Sequence, residues 1–172
     1  MRIVTVLSTV MLAALATATS TARASRHSPA DADRAAIQAL EDTYIQGFSA
    51  RDVDQVMSVY LPGKQLFVFD VVPREYQGSD AYRKHWQELF AMFSGPIRNS
   101  ISEQTIHVVG SVAYGHNIQS GEFTDKDGHV ISMVVRTTDI YRKIHGKWLI
   151  VEEHNSVPVA LGSMQPDTKS EP

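Results

Sequence analysis

Cysteine is absent from the 172 residues, which excludes thiol nucleophiles, thiolate metal sites and disulfide frameworks. Packing alone must hold the fold. Basic residues are outnumbered, with 16 Lys and Arg against 19 Asp and Glu and a formal net charge of −3. No long Lys/Arg run occurs, so the basic stripe that binding to a phosphate backbone requires is missing and nucleic acid is not an expected partner. Seven prolines and ten glycines are too few for a collagen-like or low-complexity chain. No phosphate-cradling glycine loop is present, nor any H-x-x-x-H, H-x-x-E-H or H-E-x-x-H spacing. Neither a tightly bound metal nor an organic cofactor is therefore expected. What remains, 43% hydrophobic and 20% charged, is the composition of an ordinary globular domain.

The first 24 residues read as an address. Arg2 precedes an apolar run from Ile3 to Ala16, and Ala22-Arg23-Ala24 has the A-x-A form of a signal-peptide cleavage site. The run is shorter than the roughly 20 apolar residues that span a bilayer. The expected product begins at Ser25, is periplasmic or secreted, and has no membrane segment once the signal is removed. Residues 25–160 then form one domain, and the polar residues 161–172 are expected to be a disordered tail.

Helices come first in that domain. Ser28-Pro29-Ala30-Asp31 carries a capping pattern with Pro at the first helical position, and Ile37, Leu40, Tyr44, Ile45 and Phe48 follow at helical spacing. Asp52 can cap a short second helix with Val53, Val56, Met57 and Tyr60 on its apolar face, stopped by Pro62-Gly63. Gln65 to Asp70 reads as a strand. Ser79 or Asp80 would cap a third helix with Tyr82, Trp86, Leu89, Phe90 and Phe93 on one face, ending at Gly95-Pro96. Four strands follow, about Ser100 to Val109, Ser111 to Phe123, His129 to Ile144 and Lys147 to Val157, punctuated by Gly110, Asp127-Gly128 and His145-Gly146. Such tight connections predict an antiparallel meander, hence an α+β fold with helices on one face of a curved sheet.

Tyr44-Ile45, Asp52-Val53, Val56 to Tyr60, Phe67-Val68-Phe69-Asp70 and Tyr76-Gln77-Gly78 resemble the opening of ketosteroid isomerase and SnoaL-like proteins, members of the nuclear transport factor 2-like superfamily. Val135 to Asp139, Tyr141-Arg142-Lys143, Gly146-Lys147-Trp148 and His154 to Pro158 are similar to isomerase homologues of that superfamily. The resemblance covers about residues 30–160. It implies a cone-shaped, cystatin-like fold in which three N-terminal helices pack on a curved antiparallel sheet. It is poor for reaction, because isomerases, cyclases, hydratases and non-catalytic binding or association domains share that cone.

By resemblance, Asp70 stands where ketosteroid isomerases place their general base and Tyr44 where they place an oxyanion-stabilising phenol. From the residues alone, Asp70 follows four apolar residues and is either a site carboxylate or a strand-end cap. Tyr44 is either a phenol aimed at a developing oxyanion or a core tyrosine. The isomerases carry a protonated Asp as second donor, and counting back from Gly146 puts Thr138 there, a much weaker one. Arg136 lies among Met133, Val134 and Val135, where a permanent cation needs either a ligand anion or an internal partner such as Asp70, Glu152 or Glu153. His116 and His154 occupy apolar strands and, with Asp70 and Glu152, could supply N/O ligands. Acid–base or ligand hydrogen bonding suits them better than metal. His27, His85, His107, His129 and His145 fall at polar or turn positions and read as surface.

Two function classes stand. One is a cofactor-independent acid–base enzyme using Asp70, Tyr44 and His116 on a small carbonyl or carboxylate compound, with Arg136, His154, Thr138 and Trp86 binding it. The other is a non-catalytic binding or association module using the same pocket. Convergence of Asp70, Arg136 and His154 in one cavity is expected on energetic grounds, since buried polar groups must pair or face a wet pocket. A one-residue error of register would turn the histidines outward. A homodimer through the outer sheet face is expected from the unbroken apolar run Trp148 to Val151.

Overall fold

The computed structural model describes residues 28–167, so the expected signal segment and the end of the tail lie outside the described residues. Helix α1 (Pro29–Ala50) opens on the expected capping box, in which Ser28 and Asp31 each bond the other's backbone. It ends where Arg51 turns left-handed at φ 56°. Helix α2 (Val53–Met57) is capped by the Asp52 carboxylate on the Gln55 N–H. Strands β1 (Phe67–Phe69) and β2 (Tyr76–Gln77) form a short hairpin ahead of α3 (Ser79–Met92). Four long strands complete the cone: β3 (Phe93–Val109), β4 (Val112–Asp125), β5 (Val130–Ile144) and β6 (Lys147–Ser156).

The sheet runs β2-β1-β6-β5-β4-β3, antiparallel except that β1 lies parallel to β6. The meander of the second half is thus as expected, and its turns fall at Gly110, Gly128 and Gly146, all with positive φ. Register shifts between Ser94 and Arg98, between Ser102 and Thr105, and between Ile140 and Tyr141 curl the sheet around the helices. Ile37, Tyr44, Phe48, Val56, Tyr60, Tyr82, Trp86, Phe123, Tyr141 and Ile150 fill the concave side as one core.

Three local expectations are corrected. Neither Ser79 nor Asp80 caps α3: Gly78 occupies the N-cap without a side-chain bond, and Ser79 Oγ instead accepts from the Gly63 N–H at 2.9 Å. Gly95-Pro96 does not end that helix, because Phe93 is already extended and β3 begins there, pairing Phe93 with Asp125. Trp148, Leu149 and Ile150 are all buried, since residues 59–61 lie along this stretch, with Leu61 N bonded to Ile150 O at 2.8 Å and Ile150 N to Val59 O at 2.9 Å. Within the expected tail, β8 (Gln165–Pro166) pairs with β7 (Val159–Ala160).

Candidate functional site

A cavity of about 270 Å³ opens between α1, α3 and the concave sheet. Aromatic rings form a large part of its wall: Tyr44 and Phe48 from α1, Tyr82 and Trp86 from α3, Phe93 and Phe123 from the sheet. Spacing explains the set, since Tyr44 and Phe48 lie four residues apart on α1, as Tyr82 and Trp86 do on α3. The rings meet edge-on, with centroids 6.1 Å apart for Tyr44–Trp86, 5.3 Å for Phe48–Trp86 and 5.9 Å for Phe48–Phe123.

Asp70 reaches this cavity from the end of β1. Its Oδ1 accepts from the Val71 N–H at 2.7 Å, and its Oδ2 lies 3.4 Å from His85 Nε2, with side chains only 13% and 15% exposed. Burial raises the Asp70 pKa against the Val71 bond, the His85 charge and an Asn155 hydrogen bond. Burial also lowers the His85 pKa, opposed by Asp70 and Glu88. The two shifts together favour a proton on Asp70 and a neutral imidazole more than solution values would. His85 Nδ1 is 2.6 Å from the Tyr76 hydroxyl, which fixes the ring. The surface position expected for His85 is therefore wrong. It lies three residues after Tyr82 and beside Trp86 on the apolar stripe of α3, and that spacing was the signal that could have found it.

Tyr44 and Trp86 line the cavity. The Tyr44 hydroxyl reaches Gln119 Oε1 at 3.4 Å, and burial pushes its pKa well above the ordinary tyrosine value. Trp86 Nε1 and Asn99 Nδ2, both on lining residues, are buried donors without a partner among the described residues. Leaving such a donor unpaired costs about 1–3 kcal/mol.

His116, Arg136, Thr138 and His154 do not join them. All four are exposed and share the outer face of the sheet, where His116 pairs with Thr138, Thr138 with His154, and Ile118 with Arg136. Convergence of Asp70 with Arg136 and His154 is thereby overturned, as is the donor role of Thr138 inside the cone. The concave face belongs to their chain neighbours Asn117, Thr137, Asp139, Glu153 and Asn155, of which the first four are buried. Thr137 Oγ1 donates to Asn155 Oδ1, and Asn155 Nδ2 donates to Glu153 Oε1, both at 2.7 Å. Glu153 also accepts from Tyr60 at 2.7 Å and Tyr82 at 2.9 Å. Farther in, Tyr141 donates to Glu41 at 2.6 Å and lies 3.3 Å from Asp139 Oδ2.

Burial raises the pKa of each interior acid: Glu41 to about 7, Glu153 upward, and Asp139 well above its usual value. Asp139 lies opposite Glu153 in the β5–β6 register, and after burial the neighbouring Glu41 and Glu153 carboxyl groups push its pKa up further. A separate cluster on the β4–β5 turn brings ligand atoms of Asp125, Asp127 and His129 within 4.8 Å of one another. There Asp125 Oδ1 is already taken by the N–H groups of Asp127 and His129, at 2.9 and 2.8 Å.

Residues 33–158 match the family model of the calcium/calmodulin dependent protein kinase II association domain. Among solved structures, the chain is similar to a nuclear transport factor 2-like protein of unknown function from Pseudomonas putida KT2440. Identity is 24% and the TM-score 0.72, over 82% of this chain and 97% of that one. It is also similar to a nuclear transport factor 2-like superfamily protein from Salmonella enterica, at 15% identity and TM-score 0.66 over 75% and 94%. A ketosteroid isomerase-like protein from Erwinia carotovora atroseptica matches at 19% identity and TM-score 0.61, over 71% and 93%. At these identities the structures show a shared fold and not a shared reaction.

Proposed function

The chain belongs to the calcium/calmodulin dependent protein kinase II association domain family, and from that premise we propose that its cone is a binding site for a small, partly apolar compound bearing a hydrogen-bond-accepting oxygen, on which Asp70 and His85 move a proton. The observation that carries this reading is the pairing of a largely buried Asp70–His85 couple with an aromatic cavity in which two lining residues hold unpaired N–H donors. Burial brings the acid and the imidazole toward each other in pKa, the condition for general acid–base work near neutral pH. Donors fixed on Trp86 and Asn99 suit a carbonyl oxygen that gains charge as a neighbouring carbon loses its proton. Arg136 faces outward and the cavity wall holds no Lys or Arg among the described residues, so an anionic group has no partner there. The signal-like grammar of residues 1–24 supports a periplasmic or secreted setting for this activity.

Incubation with a panel of small ketones in D2O, followed by proton NMR, tests the enzyme reading. Deuterium should enter next to the carbonyl faster than in buffer, and Asp70→Asn should remove the acceleration. Ligand-induced shifts without any exchange across the panel would defeat catalysis and leave a binding module.

Assembly is favoured by a separate observation. The outer sheet face exposes Val109, Val112 and Tyr114 at 67%, 42% and 50%, grouped at the β3–β4 hairpin, and the family is named for an association domain. We read this face as the contact of a symmetric homodimer.

A further inference from the structure

The interior of the cone has an unusual charge inventory. Asp70, Glu153, Asp139 and Glu41 run from the cavity into the core, and the buried polar and charged residues include no Lys or Arg among the described residues. Glu153 stands one hydrogen bond behind the cavity wall twice over, through Tyr82 at 2.9 Å and through Asn155 at 2.7 Å. Asn155 shares the cavity wall with Asp70. Among the described residues the one basic side chain on the wall is His85, and burial disfavours its charged form.

Opposite these acids stand the faces and edges of Tyr44, Phe48, Tyr82, Trp86 and Phe123. Aromatic rings around a small cavity attract an organic cation through their quadrupoles, most strongly where water is excluded. Carboxyl groups behind the rings add to that field once they lose their protons. A neutral guest would leave the acids protonated and gain no charge attraction from them, and an anion would oppose their ionisation. A cation would meet both the ring faces and the field of the acids.

We propose that the compound bound in this cavity is a small organic ammonium ion, held by the Tyr44, Phe48, Trp86 and Phe123 rings and balanced by Asp70 and the carboxyl groups behind it. The inference rests on the reading of the cone as a ligand site and adds the charge of the ligand. Proton linkage follows from it. A positive guest favours the ionised forms of Asp70 and Glu153 and opposes a proton on His85, so binding releases protons and weakens as the pH falls.

Three probes of similar size separate the possibilities: benzyltrimethylammonium, acetophenone and phenylacetate. Titration into the full chain would be followed by calorimetry and by the indole N–H signal of Trp86, assigned with Trp86→Leu. Benzyltrimethylammonium should bind at least about tenfold more tightly than acetophenone at pH 7.5 and phenylacetate most weakly. It carries no titratable proton, so calorimetry in two buffers of different ionisation enthalpy should reveal protons released by the protein. Its affinity should drop at pH 5. Asp70→Asn, isosteric with the native side chain, should weaken it about tenfold even if Trp86→Leu fails to fold.

Acetophenone binding as tightly as the cation would overturn the charge assignment and leave the pocket reading intact. Movement of the Trp86 signal by none of the probes would sink both. Ammonium binding unchanged in Asp70→Asn, without proton release, would place the cation elsewhere and defeat the proposal.

Discussion

Asp70 and Glu41 are both carboxyl groups displaced from their solution behaviour by burial, yet they sit at opposite ends of the interior and do different things. Asp70 keeps one face on the cavity, so its shifted proton can be exchanged with a guest. Glu41 is 2% exposed and joins α1 to β5 through Tyr141, so its proton belongs to the fold. Its pKa is raised from an ordinary carboxyl value to about 7, which means the folded state binds the proton more tightly than the unfolded one. That contribution is fully present below the unfolded value and is lost as the pH rises through about 7. Wild-type thermal stability should fall over this window, with a slope of up to about 1.4 kcal/mol per pH unit from this one group. Glu41→Gln, neutral at every pH, should flatten the fall, and should gain on the wild type when unfolding is compared at pH 8 and pH 5. A parallel pH dependence in both proteins would show that Glu41 does not hold the extra proton. For Asp70→Asn the expected change is in chemistry rather than in folding, because the amide is isosteric and the side chain borders the cavity rather than packed core.

At the scale of elements, the helices were legible and the strand faces were not. Ser28, Asp31 and Asp52 announced their caps because capping is a local event between residues three apart. Strands β4 to β6 carry polar side chains on both faces, with His116 beside Asn117, Thr138 beside Asp139 and Glu153 beside His154. Chain periodicity says that such neighbours face opposite ways but not which way is inward. A clue lay in Ala113, Gly115, Gly121 and Phe123, which share the inward phase of β4 with Asn117 and Gln119. Gly115 is required there by close approach: a Cβ would lie 2.6 Å from the Thr105 carbonyl oxygen, next to the register shift of β3. Gly115→Ala should therefore force β3 away from β4 and lower stability by about 1–3 kcal/mol. Urea unfolding would measure this, and an unchanged midpoint would show that the bulge yields freely.

The whole molecule has two faces that ask for company, a cavity inside the cone and an apolar patch outside it. Light scattering at micromolar concentration should give the mass of two chains, and Tyr114→Glu, a charge placed in the exposed patch, should return it to one while leaving the circular dichroism unchanged. A single-chain mass for the unaltered protein would remove the dimer and leave the cavity untouched. By itself, the sequence determined the α+β class, the order of helices and meander, the turns, and the presence of Asp70, Tyr44 and Trp86 on segments that converge, because caps, turn glycines and helical spacing act over a few residues. Only the tertiary structure decided that His85 replaces the histidines of the strands beside Asp70, and that Arg136 stands outside the cone. It alone gathered Glu41, Asp139 and Glu153 inside. Those outcomes depend on which face of each long strand meets the helices, a choice made by the packing of Tyr82 and Trp86 of α3 and of Tyr141 of β5 into one core and written in no single segment of the chain.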